Sequence, residues 1–272
     1  MPATTPPLSE DYAVSPEHIE QYRQDGHVLL RGILSPQGVA LWRPRIVNTA
    51  LGHNTENRPL EQRDTHGKAF LQTFNLWELD PDARAFVLAR RFAKIAADLL
   101  GVDAVRVYHD QALFKEPGGG PTPWHQDQYY WPLDTTNTVT MWMPLVDASE
   151  EMGTLQFATK THAEGDLGTF NLSDESQAYF DDLVQKRGFT LTQAPLHAGD
   201  ATFHAGWTLH SAPGNRTESA REVMTIIYFP DGARITPPSN KHHQIDINQW
   251  MPGLQPGDLA ASRLNPLVYS RG

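Results

Sequence analysis

A chain of 272 residues with 39% hydrophobic and 10% aromatic residues carries enough apolar surface to fold around one core, which excludes a disordered chain. Its net charge of −10 disfavours nonspecific binding to nucleic acid or anionic membrane, since both need clustered Lys and Arg, and points instead to a small-molecule partner. With no cysteine there is no disulfide, thiolate zinc site or cysteine nucleophile, so any metal must be held by His, Asp or Glu.

The opening residues, 1–14, are rich in Pro and Thr and aperiodic, and read as a flexible arm ahead of a single domain over 15–272. The N-terminus has neither a basic n-region nor an apolar h-region, and no later run approaches a membrane span, so a cytoplasmic location is expected. Ser15-Pro16-Glu17 predicts a capped helix start, and Asp25-Gly26 its end. HVLLRGIL predicts a short buried strand, and Ser35-Pro36 opens a second helix. The strongest helical stripe runs from Pro81 to Leu100 through Phe86, Phe92, Ile95, Ala96 and Leu99, with Gly101 ending it.

From about residue 104 to 232 the character changes to short alternating runs: Ala104 to Glu116, TVTMWMPLV, GTLQFA, LTQAPLHAGDATFHA and REVMTIIYFP. A helical layer followed by many short strands predicts an α+β domain whose strands form a sandwich or barrel such as a jelly roll. Residues 160–190 interrupt the strands with a polar, partly helical insertion, either an active-site lid or a surface excursion.

The stretch PTPWHQDQYYWPL places His125 and Asp127 two positions apart. That spacing alone is close to what chance supplies in a chain with 12 histidines. A facial triad of two histidines and one carboxylate needs a third ligand from a distant segment and leaves three positions open. His204 and His210 share parity, and either suits that place if the strand continues through Gly206. Arg221 lies eleven residues after His210, at the start of the next run, where an antiparallel return would bring a guanidinium beside the site to hold a carboxylate. The alternative for Arg221 is a surface pair with Glu218 or Glu222.

The order Lys115-Glu116-Pro117-Gly118-Gly119-Gly120, Trp124-His125-Gln126-Asp127, Gly199-Asp200, His210 and Arg221 resembles the phytanoyl-CoA dioxygenase-like family of iron(II)/2-oxoglutarate oxygenases. IEQYRQDGHVLLRGILS near the start and PGLQPGDLAASRLNPLVY near the end extend the resemblance over most of residues 15–269. The resemblance implies a double-stranded β-helix (jelly-roll, cupin-like) core. It implies His125, Asp127 and His210 as iron ligands, with 2-oxoglutarate and dioxygen as cosubstrates. It also implies that Arg221 pairs with the distal carboxylate of 2-oxoglutarate, with Trp142 and Gln111 beside that cosubstrate. The pattern breaks where relatives commonly read Pro-Gly-Ser-His and this chain reads Ala158-Thr159-Lys160-Thr161-His162, which bears on the turn there.

Tyr129, Tyr130 and Trp131 follow the ligand pair directly and are candidates for the substrate pocket, as is Lys115. The Gly118-Gly119-Gly120 run lacks the Lys-Ser and helix of a phosphate loop, and reads instead as a tight turn before the ligands. The expected activity is oxidation, most simply hydroxylation, of a small organic molecule with release of succinate and CO2. The alternatives are zinc- or manganese-dependent hydrolysis on a cupin-like barrel and a metal- or ligand-binding barrel without turnover. Arg221 discriminates, because hydrolysis has no need of a cation placed for a dicarboxylate.

Overall fold

The computed structural model describes residues 8, 10–168, 170 and 173–271, so most of the expected arm (1–7 and 9) lies outside the described residues. The described part of that arm is packed down. Leu8 is buried against the core, its carbonyl accepts a hydrogen bond from the Arg91 amide, and Tyr12 donates to the Arg31 carbonyl at 3.0 Å.

The helical layer comprises α1 (Pro16–Asp25), α2 (Pro36–His53), α3 (Thr65–Ala69), α4 (Leu76–Leu79), α5 (Pro81–Val87) and α6 (Arg90–Leu100), with β1 (His27–Leu30) and β2 (Leu71–Phe74) among them. Ser15 and Ser35 cap α1 and α2 as their sequences predict, and Gly26 ends α1 at φ 80°. The predicted helix from Pro81 to Leu100 is two helices. Ala89 is extended (ψ 128°) and breaks the run. Phe86 and Phe92, six residues apart, would point about 120° apart on one continuous helix. The break lets both rings enter one core, with centroids 5.0 Å apart.

The remaining strands are β3 (Ala104–Lys115), β4 (Thr122–His125), β5 (Val139–Pro144), β6 (Gln156–Ala158), β7 (Leu191–Gln193), β8 (Ala201–Ala205), β9 (His210–Ala212), β10 (Arg221–Pro230) and β11 (Leu267–Ser270), with α7 (Asp174–Arg187) and α8 (Lys241–Trp250) between them. They form two antiparallel sheets, the larger in the order β1-β8-β5-β10-β3-β11 with β2 also on β3, the smaller β4-β9-β6-β7. The sheet thus recruits strands from both sides of the predicted 104–232 core.

Strand alternation separates the core from the site. Met141, Met143, Phe203, Met224 and Ile226 belong to the cluster that packs under the helices with Phe86 and Phe92. Their neighbours of opposite parity, Thr140, Trp142, His204 and Thr225, line an inter-sheet cavity. The 160–190 insertion packs α7 onto β4, where Phe180 and Val184 join Trp124, Ala158 and Leu209, and Trp124 Nε1 donates to Asp181 at 2.8 Å. None of its described residues lines the cavity, whose outer wall comes from α8 instead.

Candidate metal centre

His125 and His210 are directly opposed in the β4–β9 register, and their rings lie 4.1 Å apart. The strand that holds His204 does not continue through Gly206. The strand containing His204 ends at Ala205 in the large sheet, and the chain then turns so that His210 begins a strand of the small one. Asp127 follows β4 in a short 3-10 turn, with its Oδ1 3.6 Å from His125 Nε2 and 3.8 Å from His210 Nε2. Among the described residues these three form the one group of His, Asp or Glu able to converge on a metal ion, with donor atoms within 4.8 Å of one another.

Each donor is oriented from behind. His125 Nδ1 donates to the Pro123 carbonyl at 2.8 Å and His210 Nδ1 to the Thr208 carbonyl at 2.9 Å, which leaves both Nε2 lone pairs aimed inward. The second oxygen of Asp127 accepts from Thr140 Oγ1 at 2.8 Å and lies 3.2 Å from His204 Nε2. His204, whose ring lies 4.3 Å from that of His210, therefore meets the carboxylate oxygen that His125 and His210 do not, and parity alone could not have told these places apart. Burial pushes the His125 and His210 imidazoles down. Burial alone would raise the Asp127 carboxyl, but the facing imidazoles of His210, His204 and His125 hold it well below the usual range. Neutral imidazoles and an ionised carboxylate are the forms a divalent cation requires, so the donor set fits iron(II).

Arg221 is 1% exposed and lines the same cavity. It does not arrive by a hairpin from His210, since β9 and β10 lie in different sheets; it faces the triad across the barrel. Its Nη1 donates to the Gly153 carbonyl, its Nε has no partner, and its guanidinium sits 5.2 Å from the Trp142 ring. Gly153 is left-handed (φ 81°), and a Cβ there would fall 2.2 Å from the Pro213 carbonyl oxygen, so a glycine suits the position that presents this carbonyl. Glu222, the predicted surface alternative, pairs with Arg43 at 2.5 Å. Arg221 makes no ion pair among the described residues, and burial without an anion pushes its guanidinium down to about 9.

The cavity holds about 380 Å³. Trp142, Gln111 and Trp131 line it. Tyr129 and Lys115 do not: Tyr130 takes the wall position expected of Tyr129, whose ring lies against Tyr130 and His242. Lys115 is fully buried and turned to the Gly120 carbonyl and to Thr122 Oγ1, so the glycine run wraps its ammonium. The sequence reading missed His66, His109, His242, Asp246, Gln249 and Trp250, all on the cavity wall. No helix among the described residues is long and apolar enough to cross a membrane.

The sequence model of the phytanoyl-CoA dioxygenase family matches residues 22–223. The chain is similar to a methylphosphonate hydroxylase of Gimesia maris, with 28% identity over 49% of this chain and 48% of that one. It is also similar to a probable alpha-ketoglutarate-dependent hypophosphite dioxygenase of Stutzerimonas stutzeri, with 22% identity over 78% and 77%. The chain thus spans about half the length of the first of these relatives. Among solved structures it is similar to the epimerase SnoN in complex with Fe3+, alpha ketoglutarate and nogalamycin RO, with 25% identity, a TM-score of 0.76, and coverage of 93% of this chain and 97% of that one. The helical layer, the two-sheet core and a match over most of the chain agree: the chain belongs to the phytanoyl-CoA dioxygenase family.

Proposed function

We propose that this chain is an iron(II)- and 2-oxoglutarate-dependent dioxygenase that oxidises, most simply hydroxylates, a small organic molecule. The observation that carries this reading is Arg221, a buried guanidinium without a carboxylate partner, in one cavity with three converging metal donors. An unpaired buried cation is costly, and a dicarboxylate cosubstrate is the ligand that would neutralise it. Hydrolysis gives no reason for such a cation.

The residues divide the work. His125, Asp127 and His210 hold one face of the metal, and the carbonyls of Pro123 and Thr208 fix the tautomer of both imidazoles. Thr140 and His204 hold Asp127 so that Oδ1 alone turns toward the histidines. Arg221 receives the distal carboxylate of 2-oxoglutarate as a charge-assisted pair, and Trp142 walls that end against water. Iron with 2-oxoglutarate and dioxygen supplies oxidative decarboxylation to succinate and CO2 coupled to oxidation of a substrate C–H bond. The retained carboxylate of Asp127 favours hydroxylation over halogenation, for which related enzymes have a small residue at that position. Succinate release from 2-oxoglutarate that depends on added iron(II) and dioxygen is the test. Iron-loaded protein that releases none, with or without candidate substrates, would sink the reading.

A further inference from the structure

The oxygenase reading uses the half of the cavity around the triad and Arg221. Much of the other half is built by α8, which lies beyond the 22–223 segment matched by the family, so family membership says nothing of it. Asp246, buried on that helix, lines the cavity. One of its oxygens accepts from Tyr108 Oη at 2.7 Å, its only hydrogen bond among the described residues, and no Lys, Arg or His there forms an ion pair with it. Burial pushes the carboxyl up to about 7, as expected of a carboxylate without a counter-charge. The rings of Phe74, Tyr130, Trp131 and Trp250 share this half of the wall, with Phe74 and Trp250 5.0 Å apart.

Lys and Arg side chains are scarce on the cavity wall. Arg221 is the one Lys or Arg among the residues lining the cavity. Burial pushes His66, His109 and His242 down, His109 to about 3, which disfavours their charged forms. A phosphonate, a hypophosphite or the phosphates of an acyl-CoA would meet a carboxyl with no Lys or Arg on that half of the wall to receive them. An ammonium group would find both a carboxylate and the negative faces of several rings.

We infer that Asp246 is a specificity-determining residue that receives a protonated amine carried on a ring-bearing, carbon-rich substrate. The inference rests on the oxygenase reading and narrows its substrate class. It separates this chain from the oxyanions in its relatives' names.

The test is calorimetric, on protein loaded with manganese(II) and 2-oxoglutarate under nitrogen. The probes are three molecules of one shape: 2-phenylethylamine, 2-phenylethanol and phenylacetate. Binding of 2-oxoglutarate is measured first, and its failure would remove the oxygenase reading itself. Given that binding, the amine is expected to bind at least about tenfold more tightly than the alcohol, and the acid most weakly. In Asp246→Asn the preference for amine over alcohol should fall to within about twofold. Undetectable amine binding, equal affinity for the three probes, or an amine preference that survives Asp246→Asn would each overturn the inference.

Discussion

Arg221 stands directly opposite Lys115 in the β3–β10 register, so two buried basic side chains lie side by side and neither has a carboxylate partner among the described residues. Burial, and then the charge of Arg221, pushes the Lys115 ammonium down to about 6. Near neutral pH the pair therefore carries little more than one positive charge, held by Arg221. Arg221→Met should weaken 2-oxoglutarate binding by roughly 30- to 1,000-fold, the effect of removing one partner of a buried charge pair. It should not destabilise the ligand-free protein, because the variant no longer buries an unpaired charge. Thermal unfolding with manganese(II), with and without 2-oxoglutarate, checks both: the variant should keep its midpoint and lose the ligand-induced rise.

Binding a dicarboxylate beside Arg221 should also raise the pKa of Lys115 and draw a proton onto its amine near pH 7. Calorimetry of 2-oxoglutarate binding in buffers of different ionisation enthalpy should report net proton uptake in the wild type. That uptake should vanish in Lys115→Met. Equal uptake in both proteins would assign the proton to another group.

Asp127 depends on Thr140 and His204 for its aim, since both meet Oδ2, the oxygen other than the one nearest His125 and His210. Thr140→Val keeps the shape and removes the shorter of the two contacts. We expect metal affinity to fall about 10- to 100-fold, the usual range for outer-shell partners of a metal ligand. Competition with a chelating dye measures this without turnover. An unchanged affinity would mean that His204 alone suffices to hold the carboxylate.

How far this site was legible follows from where its signals lay. His125, Asp127, His210 and Arg221 could be placed because each chemistry-bearing side chain has a family position and a spacing. The strand holding His125 could not. Pro121 and Pro123 argue against a strand, yet β4 tolerates Pro123 because the ladder has an irregularity between Thr122 and His125. The wall from α8 was invisible for a different reason. KHHQIDINQW buries only Asp246, Ile247 and Trp250, so it has no apolar period to detect, and its role depends on a long-range approach to β3. Tyr129 and Tyr130 are adjacent, and only the 3-10 turn decides which of them meets the cavity.

Asp110 offers a pH test of the fold. Fully buried on β3, its carboxylate accepts the amides of Leu76 at 2.9 Å and Trp77 at 3.5 Å at the start of α4. Burial outweighs these bonds and pushes the carboxyl up to about 7 from an ordinary value of 3.8. Because the folded pKa is the higher, the protonated group favours the folded state below the unfolded pKa, and that advantage is lost as pH rises through the folded one. Asp110→Asn does not titrate, so wild-type stability should decline relative to the variant between about pH 4 and pH 7, by up to about 4 kcal/mol. Urea unfolding of both proteins at pH 4.5 and pH 8 measures the gap. The same gap at both values would show that Asp110 is not protonated in the folded protein.

Lys160 lies where this chain reads Ala158-Thr159-Lys160-Thr161-His162 against the Pro-Gly-Ser-His common in relatives. Aligned on His162, Lys160 stands at the glycine position and adopts the glycine-like conformation, φ 73° and ψ 0°. It keeps that geometry because its amide donates to the Asp25 carbonyl at 2.8 Å, and because Thr161 Oγ1 donates to the Ala158 carbonyl while accepting from the Leu209 amide. A left-handed turn therefore forms here without a glycine, at a conformational cost of about 1–2 kcal/mol for a left-handed residue with a Cβ. Lys160→Gly removes that cost but adds about 0.5–1 kcal/mol of unfolded-state entropy. The net expectation is a gain of about 0.5–1 kcal/mol in unfolding free energy, with metal and 2-oxoglutarate affinities unchanged, since Lys160 does not line the cavity. A loss of stability in urea unfolding would mean that the lysine side chain itself contributes more to this turn than its backbone costs.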